Sequence, residues 1–318
     1  MQAVQVILKL MVHADLWHST LLYGTLLLLP ALGGVISERS GVTNIAMEGM
    51  MLAGAFFAVW ADLAWHSAWL GALVAILAGG VMALIHAVVS IQFKADQIVS
   101  GFAINIFAAG LTVFLIFPIY GIGDVGHVPS QNLLPNITVP LLSQISFLGI
   151  GQIFFNQNII VYVALALLVI INVVLFRTKL GLRVRAVGEH PSAADTAGIN
   201  VYRIRYGAVI TSGLLSGLAG AFLAIGINNT FIQNMTDGRG YIALAAMIFG
   251  KWTPVGAFIA CLIFGLGQAV ADNNSIIPVS QYFLQSLPYI LTLVVLAGLV
   301  GRSTPPAADG VPYTPGGE

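Results

Sequence analysis

Long apolar runs separated by short polar stretches organise this chain. They fall at 16–36, 42–60, 68–93, 98–120, 158–176, 206–229, 254–271 and 283–300. Their lengths lie close to the ~20 residues a helix needs to cross the hydrocarbon of a bilayer. A ninth run, 240–250, is bounded by Arg239 and Lys251 and is too short for a straight crossing. It predicts a tilted, broken or re-entrant segment. Residues 1–13 read as a short interfacial helix, and the Pro- and Gly-rich stretch STPPAADGVPYTPGGE from Ser303 reads as disordered. The expected fold is an all-α polytopic integral membrane protein with about nine transmembrane segments, one of them short or broken. A transmembrane domain would occupy 1–302 and a disordered cytoplasmic tail 303–318.

Composition strengthens that reading. The chain is 58% hydrophobic and 8% charged, where soluble domains carry about 25% charged residues. Net charge is zero, so bulk electrostatics names no partner, and nucleic acid is not expected. The 35 glycines suit closely packed membrane helices. Cys261 is the single cysteine, so no intrachain disulfide can form, and it reads as a small packing residue. Residues 1–15 lack the basic start and cleavage site of a signal peptide.

Basic residues set the orientation, because cytoplasmic loops are enriched in Lys and Arg. Six of the 12 fall between 177 and 205, which makes that loop cytoplasmic. Nine crossings counted outward from it put Arg39, Lys94, Lys251 and Arg302 inside too, and leave Lys9 and Arg239 outside. The N-terminus is then outside and the C-terminus inside. The connection 121–157, with Asp124 as its one charge, is exterior.

Two local patterns predict structure. In GLLSGLAG (213–220), Gly213/Gly217 and Ser216/Gly220 recur every four residues. That spacing lines small residues on one helix face and lets backbones approach. In the 177–205 loop, Pro191 suits a helix's first turn and Gly198 its C-terminal cap. The stretch between them predicts a helix of under two turns.

Ionisable and amide side chains inside a membrane are expensive and mark cavities or partners. The stretch SERSGVTNIAMEGM (37–50) carries Glu38, Arg39 and Glu48 between two apolar runs. Glu38 and Arg39 are expected to pair at a cytoplasmic turn; the alternative is that this very short turn dips into the bundle and lines the path. Asn44 stands four residues before Glu48, one helical turn earlier. Glu48 either pairs structurally, with Arg39 or a helix N-terminus, or lines a path. Asn105 and Gln268 are candidates for the same path or for interhelical hydrogen bonds. Asn228, Asn229, Asp237 and Arg239 gather on the outer side. GVTNIAMEGMMLAG (41–54) and GRGYIALAAMIFG (238–250) echo each other weakly, as paired interrupted helices would.

Three stretches resemble a known family: GGVISERSGVTNIAMEGMMLAGAF (33–56), GLRVRAVGEHPSAADTAGINV (181–201) and GRGYIALAAMIFGKWTPVGAFIACLIFG (238–265). They are similar to permease subunits of ATP-binding-cassette importers for ribose-like sugars, branched-chain amino acids and nucleosides. The likeness covers roughly 16–302 and is strongest to nucleoside permeases that work with a basic-membrane-protein-like binding lipoprotein. Against longer members, the resemblance implies that a first transmembrane helix is missing here.

The resemblance implies a multi-pass protein of the bacterial cytoplasmic membrane. Its partners would be a separate ATPase, a second permease (a longer homologue or a second copy), the binding lipoprotein and lipid. No GxxxxGK[ST] loop occurs, so this chain needs no cofactor of its own and ATP-Mg would sit on the ATPase. The helix around Ser192–Ala197 would couple to that ATPase through Glu189, His190, Ser192, Ala194 and Asp195. Nucleosides need hydrogen-bonding groups for ribose and base edges, and flat surfaces for the base. Asn44, Glu48, Asn105 and Gln268 meet the first need; Phe56 and Tyr241 meet the second, with Phe57 and Phe102 beside them. The same resemblance allows a sugar or branched-chain amino-acid permease. An ion-coupled secondary transporter is a different class, for which Glu48 is the sole support. A membrane-embedded enzyme is disfavoured, because the six histidines are scattered and HExxH and GxSxG are absent. No metal site is expected.

Overall fold

The computed structural model describes residues 14–121, 128–138, 155–272 and 304–315, with Ser286 and Ile290 between the last two. Among these, seven helices are long and apolar enough to cross a membrane. They are α1 (Ala14–Glu38), α2 (Met47–Trp65), α3 (Ala68–Ala87), α4 (Gln97–Tyr120), α5 (Ile159–Arg177), α8 (Val201–Ala221) and α10 (Pro254–Asp272). Helix α3 runs on as a π-helical turn to Gln92, and α8 as a longer one to Asn228. The short helices α6 (Lys179–Glu189) and α7 (Pro191–Thr196) lie between α5 and α8, and α9 (Arg239–Phe249) precedes α10. The segment read at 1–13, and that at 283–300 except for Ser286 and Ile290, fall outside the described residues.

Among the described residues the fold is all-α apart from two small antiparallel pairings. Strand β1 (Val128–Pro129) pairs with β4 (Thr230–Phe231), and β2 (Asn136–Thr138) with β3 (Asn156–Asn158). Asp62, near the end of α2, pins this end of the bundle. Its carboxylate accepts the Gln131 and Asn132 amides at 2.7 and 2.9 Å and the Asn132 side chain at 2.9 Å.

Helix α8 is the hub of the bundle, and its small residues explain why. A Cβ on Gly213 would stand 2.2 Å from Ala83 Cβ and 2.4 Å from Gly79 O, and one on Gly217 would stand 2.2 Å from Ala75 O. One position further round, a Cβ on Gly220 would meet Met51 O at 2.1 Å. The four-residue repeat therefore lets α8 press its backbone against α3 and α2 at once. Dispersion between closely approaching backbones drives such contacts in lipid, where no hydrophobic effect separates helix from solvent.

Helix α9 has 11 residues, a rise of about 16 Å against roughly 30 Å of hydrocarbon. It is a half-length helix. Its N-terminus lies beside Glu48, and the turn after it lies beside Glu38, where Trp252 Nε1 donates to Glu38 Oε2.

Two expectations are overturned here. Glu38 and Arg39 do not pair with each other. Both turn to Trp252, Arg39 donating through Nε to its carbonyl at 2.9 Å, with the guanidinium 5.9 Å above the Phe176 ring. The tail read as disordered is packed over 304–315, with Ala308 and Tyr313 buried. Composition counts only the hydrophobicity a segment carries; this one finds its hydrogen-bond partners on the rest of the fold.

Candidate functional site

The run read as one helix over 42–60 is broken. After Glu38 the chain turns through Gly41, at φ +86°, and regains helical form only at Met47. Between them it doubles back into the bundle. Asn44 reaches Ser212, the residue that Gly33 also abuts, and Met47 abuts Gly34. Gly33 and Gly34 lie about 6–8 Å back along α1 from its end.

Unwound backbone inside a bundle must find partners for its N–H and C=O groups; α3 and α4 supply them here, while α8 holds the Asn44 side chain. Thr43 N donates to Gln97 Oε1 at 2.7 Å, and Thr43 O accepts from His86 Nε2 at 3.2 Å. A carbonyl can only accept, so the His86 proton sits on Nε2, leaving Nδ1 to accept from Ser100 Oγ at 2.9 Å. Ile45 O accepts from Asn105 Nδ2 at 3.0 Å. Asn44 donates to Ser212 Oγ at 2.8 Å and accepts the Ala46 amide at 3.1 Å.

Glu48 lies in the first turn of α2 and caps a different helix. Its Oε1 accepts the Gly238 amide at 2.9 Å and its Oε2 the Gly240 amide at 2.7 Å. The carboxylate thus closes the N-terminus of α9, where the helix dipole favours negative charge. A Cβ on Gly240 would stand 2.5 Å from the Glu48 backbone, so this approach requires glycine. Of the two structural partners considered, the helix N-terminus is the one present. Asn44, in the break, lies off any helix face shared with Glu48 and turns to α8 instead.

Asn105 joins the pieces. Its Oδ1 accepts the Gly49 amide at 2.7 Å, and its Nδ2 bonds both Ile45 O and Tyr241 Oη, the latter at 2.9 Å. Tyr241 Oη therefore accepts from Asn105 and keeps its own O–H as a donor. Tyr241 is 37% exposed as a residue, and its ring lies 6.2 Å from that of Phe102, a residue 48% exposed, with the planes 34° apart. Three expected path residues, Glu48, Asn105 and Tyr241, thus meet at one place, with Phe102 beside them.

The other expected path residues lie elsewhere. Phe56 is fully buried and packs edge-on against Phe57, Tyr120 and Phe231 at 5.2–5.5 Å. It is core and presents no open face. Gln268 donates to Asp272 and lines a small crevice with Tyr23 and Arg239. Arg239, expected on the outer side, folds back onto the carbonyls of Met235 and Thr236 at 3.1 and 3.2 Å. The sequence reading missed His86, Gln97 and Ser212 as supports of the break. All three are polar residues in or beside apolar runs, the same signal that singled out Asn105.

The 177–205 loop, expected to be cytoplasmic, divides by exposure. Glu189, His190, Ser192 and Asp195 are exposed. Ala194 is buried among Val187, Val201 and Tyr313, which corrects its expected role as a surface contact. It seats α7 on the bundle and leaves the other four facing outward.

Comparison with known proteins gives a consistent set of relatives. A family model described as branched-chain amino acid transport system / permease component matches residues 17–299. The chain is 44% identical to a guanosine ABC transporter permease protein of Bacillus subtilis, over 94% of this chain and 96% of that protein. It is 41% identical to a nucleoside ABC transporter permease protein of Lactococcus lactis, over 92% and 94%. It is 33% identical to a putative glucose ABC transporter permease protein of Haloferax volcanii, over 91% and 93%. No solved structure matches the chain.

Proposed function

This chain belongs to the family of branched-chain amino acid transport system permease components, multi-pass subunits of ABC importers, and on that premise we propose that it moves nucleosides inward across the cytoplasmic membrane. The observation that carries the substrate class is the meeting of Glu48, Asn105, Tyr241 and Phe102 at the two helix breaks. Two exposed aromatic faces offer a surface for a base, and the Tyr241 O–H and the outer lone pairs of Glu48 offer partners for ribose hydroxyls.

The same geometry argues against a branched-chain amino acid. A zwitterion's carboxylate would seek a free helix N-terminus or a cation. At α9 that position is filled: Glu48 takes the Gly238 and Gly240 amides, while those of Arg239 and Tyr241 bond Thr236 O and Gly238 O. Sugars also stack on aromatic rings, and the Haloferax relative keeps a hexose as the second reading.

In the complete transporter an ATPase carrying ATP-Mg docks on the end of α6 and on α7 through Glu189, His190, Ser192 and Asp195. A second, longer permease completes the pore, and a binding lipoprotein delivers substrate. The membrane is crossed nine times, with the N-terminus outside and the C-terminus inside. Uptake of radiolabelled guanosine, glucose and leucine by the reconstituted transporter tests the reading. Guanosine uptake that unlabelled nucleosides suppress and glucose does not supports it; preference for glucose or leucine overturns it.

A further inference from the structure

The segment 304–315 touches both the ATPase-facing helices and the helix break. On one side, Ala308 N donates to Gly188 O at 2.9 Å and Ala307 N to Glu189 Oε2 at 3.2 Å, both at the end of α6. Tyr313 packs against Ala194 in α7 and faces the Asp195 carboxylate. Arg205 Nη1, on α8, donates to Val311 O at 3.0 Å.

On the other side, Thr43 Oγ1 donates to Asp309 Oδ1 at 3.1 Å. A Cβ on Gly41 would stand 3.0 Å from Ala308 O and 2.8 Å from Arg205 Nη2. Thr43 is two residues from Ile45, whose carbonyl Asn105 holds. A short chain of contacts therefore runs from α7 through Tyr313 and Asp309 to Thr43, and on to the Glu48–Asn105–Tyr241 group.

We propose that segment 304–315 is a strap that transmits movement of α7 to the helix break, with Asp309 as its positioning residue at Thr43. The inference rests on the permease reading, in which an ATPase moves α7. The strap also has a second place to hold. Arg205 is 2% exposed, attracts Asp309 electrostatically, and has Nε and Nη2 without hydrogen-bond partners among the described residues. Passing the Asp309 carboxylate from Thr43 to Arg205 frees the break without undocking the segment. Transmission over a distance needs an element with two arrangements of this kind.

The test uses the complete transporter in proteoliposomes, reading guanosine taken up per ATP hydrolysed. Thr43→Val is expected to lower that ratio at least fivefold, with complex yield and basal ATP hydrolysis unchanged. Asp309→Asn, whose amide oxygen still accepts the Thr43 hydroxyl, is expected to keep at least half of it. A chain ending at Arg302 is expected to lose stimulation of ATP hydrolysis by the loaded binding protein. Wild-type ratios in both Thr43→Val and the shortened chain overturn the strap. The substrate reading fails separately: if the wild type moves glucose or leucine and no guanosine, that reading is overturned, and the same ratio, measured with the solute that is moved, still judges the strap.

Discussion

Two regions of this bundle are held together by opposite means. Where α8 crosses α3 and α2, backbones meet through Gly79, Gly213, Gly217 and Gly220, with no room for one added carbon. Where the helices break, at 39–46 and before α9, single side chains hold the backbone: His86, Gln97 and Asn105 at the first break, Glu48 at the second. The crossing is a steric lock that carries no chemistry. The breaks are a polar lattice whose groups can exchange partners. A transporter needs both, a fixed frame and a part that rearranges, and here they are assigned to different residues.

Filling the crossing should have the largest effect. Gly213→Leu places a side chain where Gly79 and Ala83 already stand. Overpacking a well-filled core costs about 1–3 kcal/mol or more even for an extra methylene, and here backbone must move. The folded fraction in detergent is expected to fall at least tenfold by size-exclusion chromatography. A monodisperse peak at the wild-type yield would show that the crossing is not a lock.

Removing Glu48 attacks the lattice. Glu48→Ala strips two charge-assisted hydrogen bonds from the N-terminus of α9, each worth about 1.5–3 kcal/mol. Guanosine uptake is expected to drop 10–100-fold at matched expression. Glu48→Gln keeps one acceptor oxygen but turns an NH2 toward the other amide, so it should fall between Ala and wild type. Wild-type uptake in Glu48→Ala would remove this residue from the mechanism.

Tyr241→Phe is a finer cut. It deletes the hydroxyl that accepts from Asn105 and offers an O–H outward, leaving the ring in place. A loss of about 1 kcal/mol, typical of one neutral hydrogen bond, predicts a roughly fivefold rise in the guanosine concentration for half-maximal uptake. An unchanged half-saturation with a lowered maximal rate would instead make the hydroxyl purely structural.

The smallest effect concerns pH. Burial pushes the Asp309 carboxyl up to about 6, opposed by its hydrogen bonds from Thr43 and the Gly310 amide and by the charge of Arg205. Glu38, at the end of α1, faces it as a second carboxylate. The docked segment therefore holds a proton more tightly than the free one, whose carboxyl titrates near ~3.9. Docking is strongest below that range and weakens as pH rises through about 6. Hydrogen exchange over 304–315 should be faster at pH 8 than at pH 5.5 beyond the intrinsic change in exchange rate. Asp309→Asn should flatten that difference; an equal difference in the variant would assign it to another group.

Much of this was legible from residue order. The apolar runs mark the long helices within a few residues in most cases, because a span must be apolar over a fixed length whatever its neighbours are. The four-residue spacing of small residues marks the α8 crossing for a similar local reason. Glu48, Asn105 and Tyr241 stood out, two as polar groups in apolar runs and Tyr241 as an aromatic on which a base could stack. Phe56 stood out equally and proved to be core, because an aromatic in an apolar run has the same local pattern whether it faces a cavity or a neighbouring helix.

Hydropathy and helical period, properties of neighbouring residues, already place the chain in a bilayer, locate most of its helices and mark the small residues that let them touch. Contacts between distant elements set the rest: the second span starts at Met47, Asn44 and Glu48 serve different helices, and the Pro-rich tail docks. One cause underlies all three. An unwound or polar backbone persists only where hydrogen-bond partners await it, and here they come from far along the chain: Asn105 lies 56 residues from Gly49, Ser212 168 from Asn44, and Asp309 266 from Thr43.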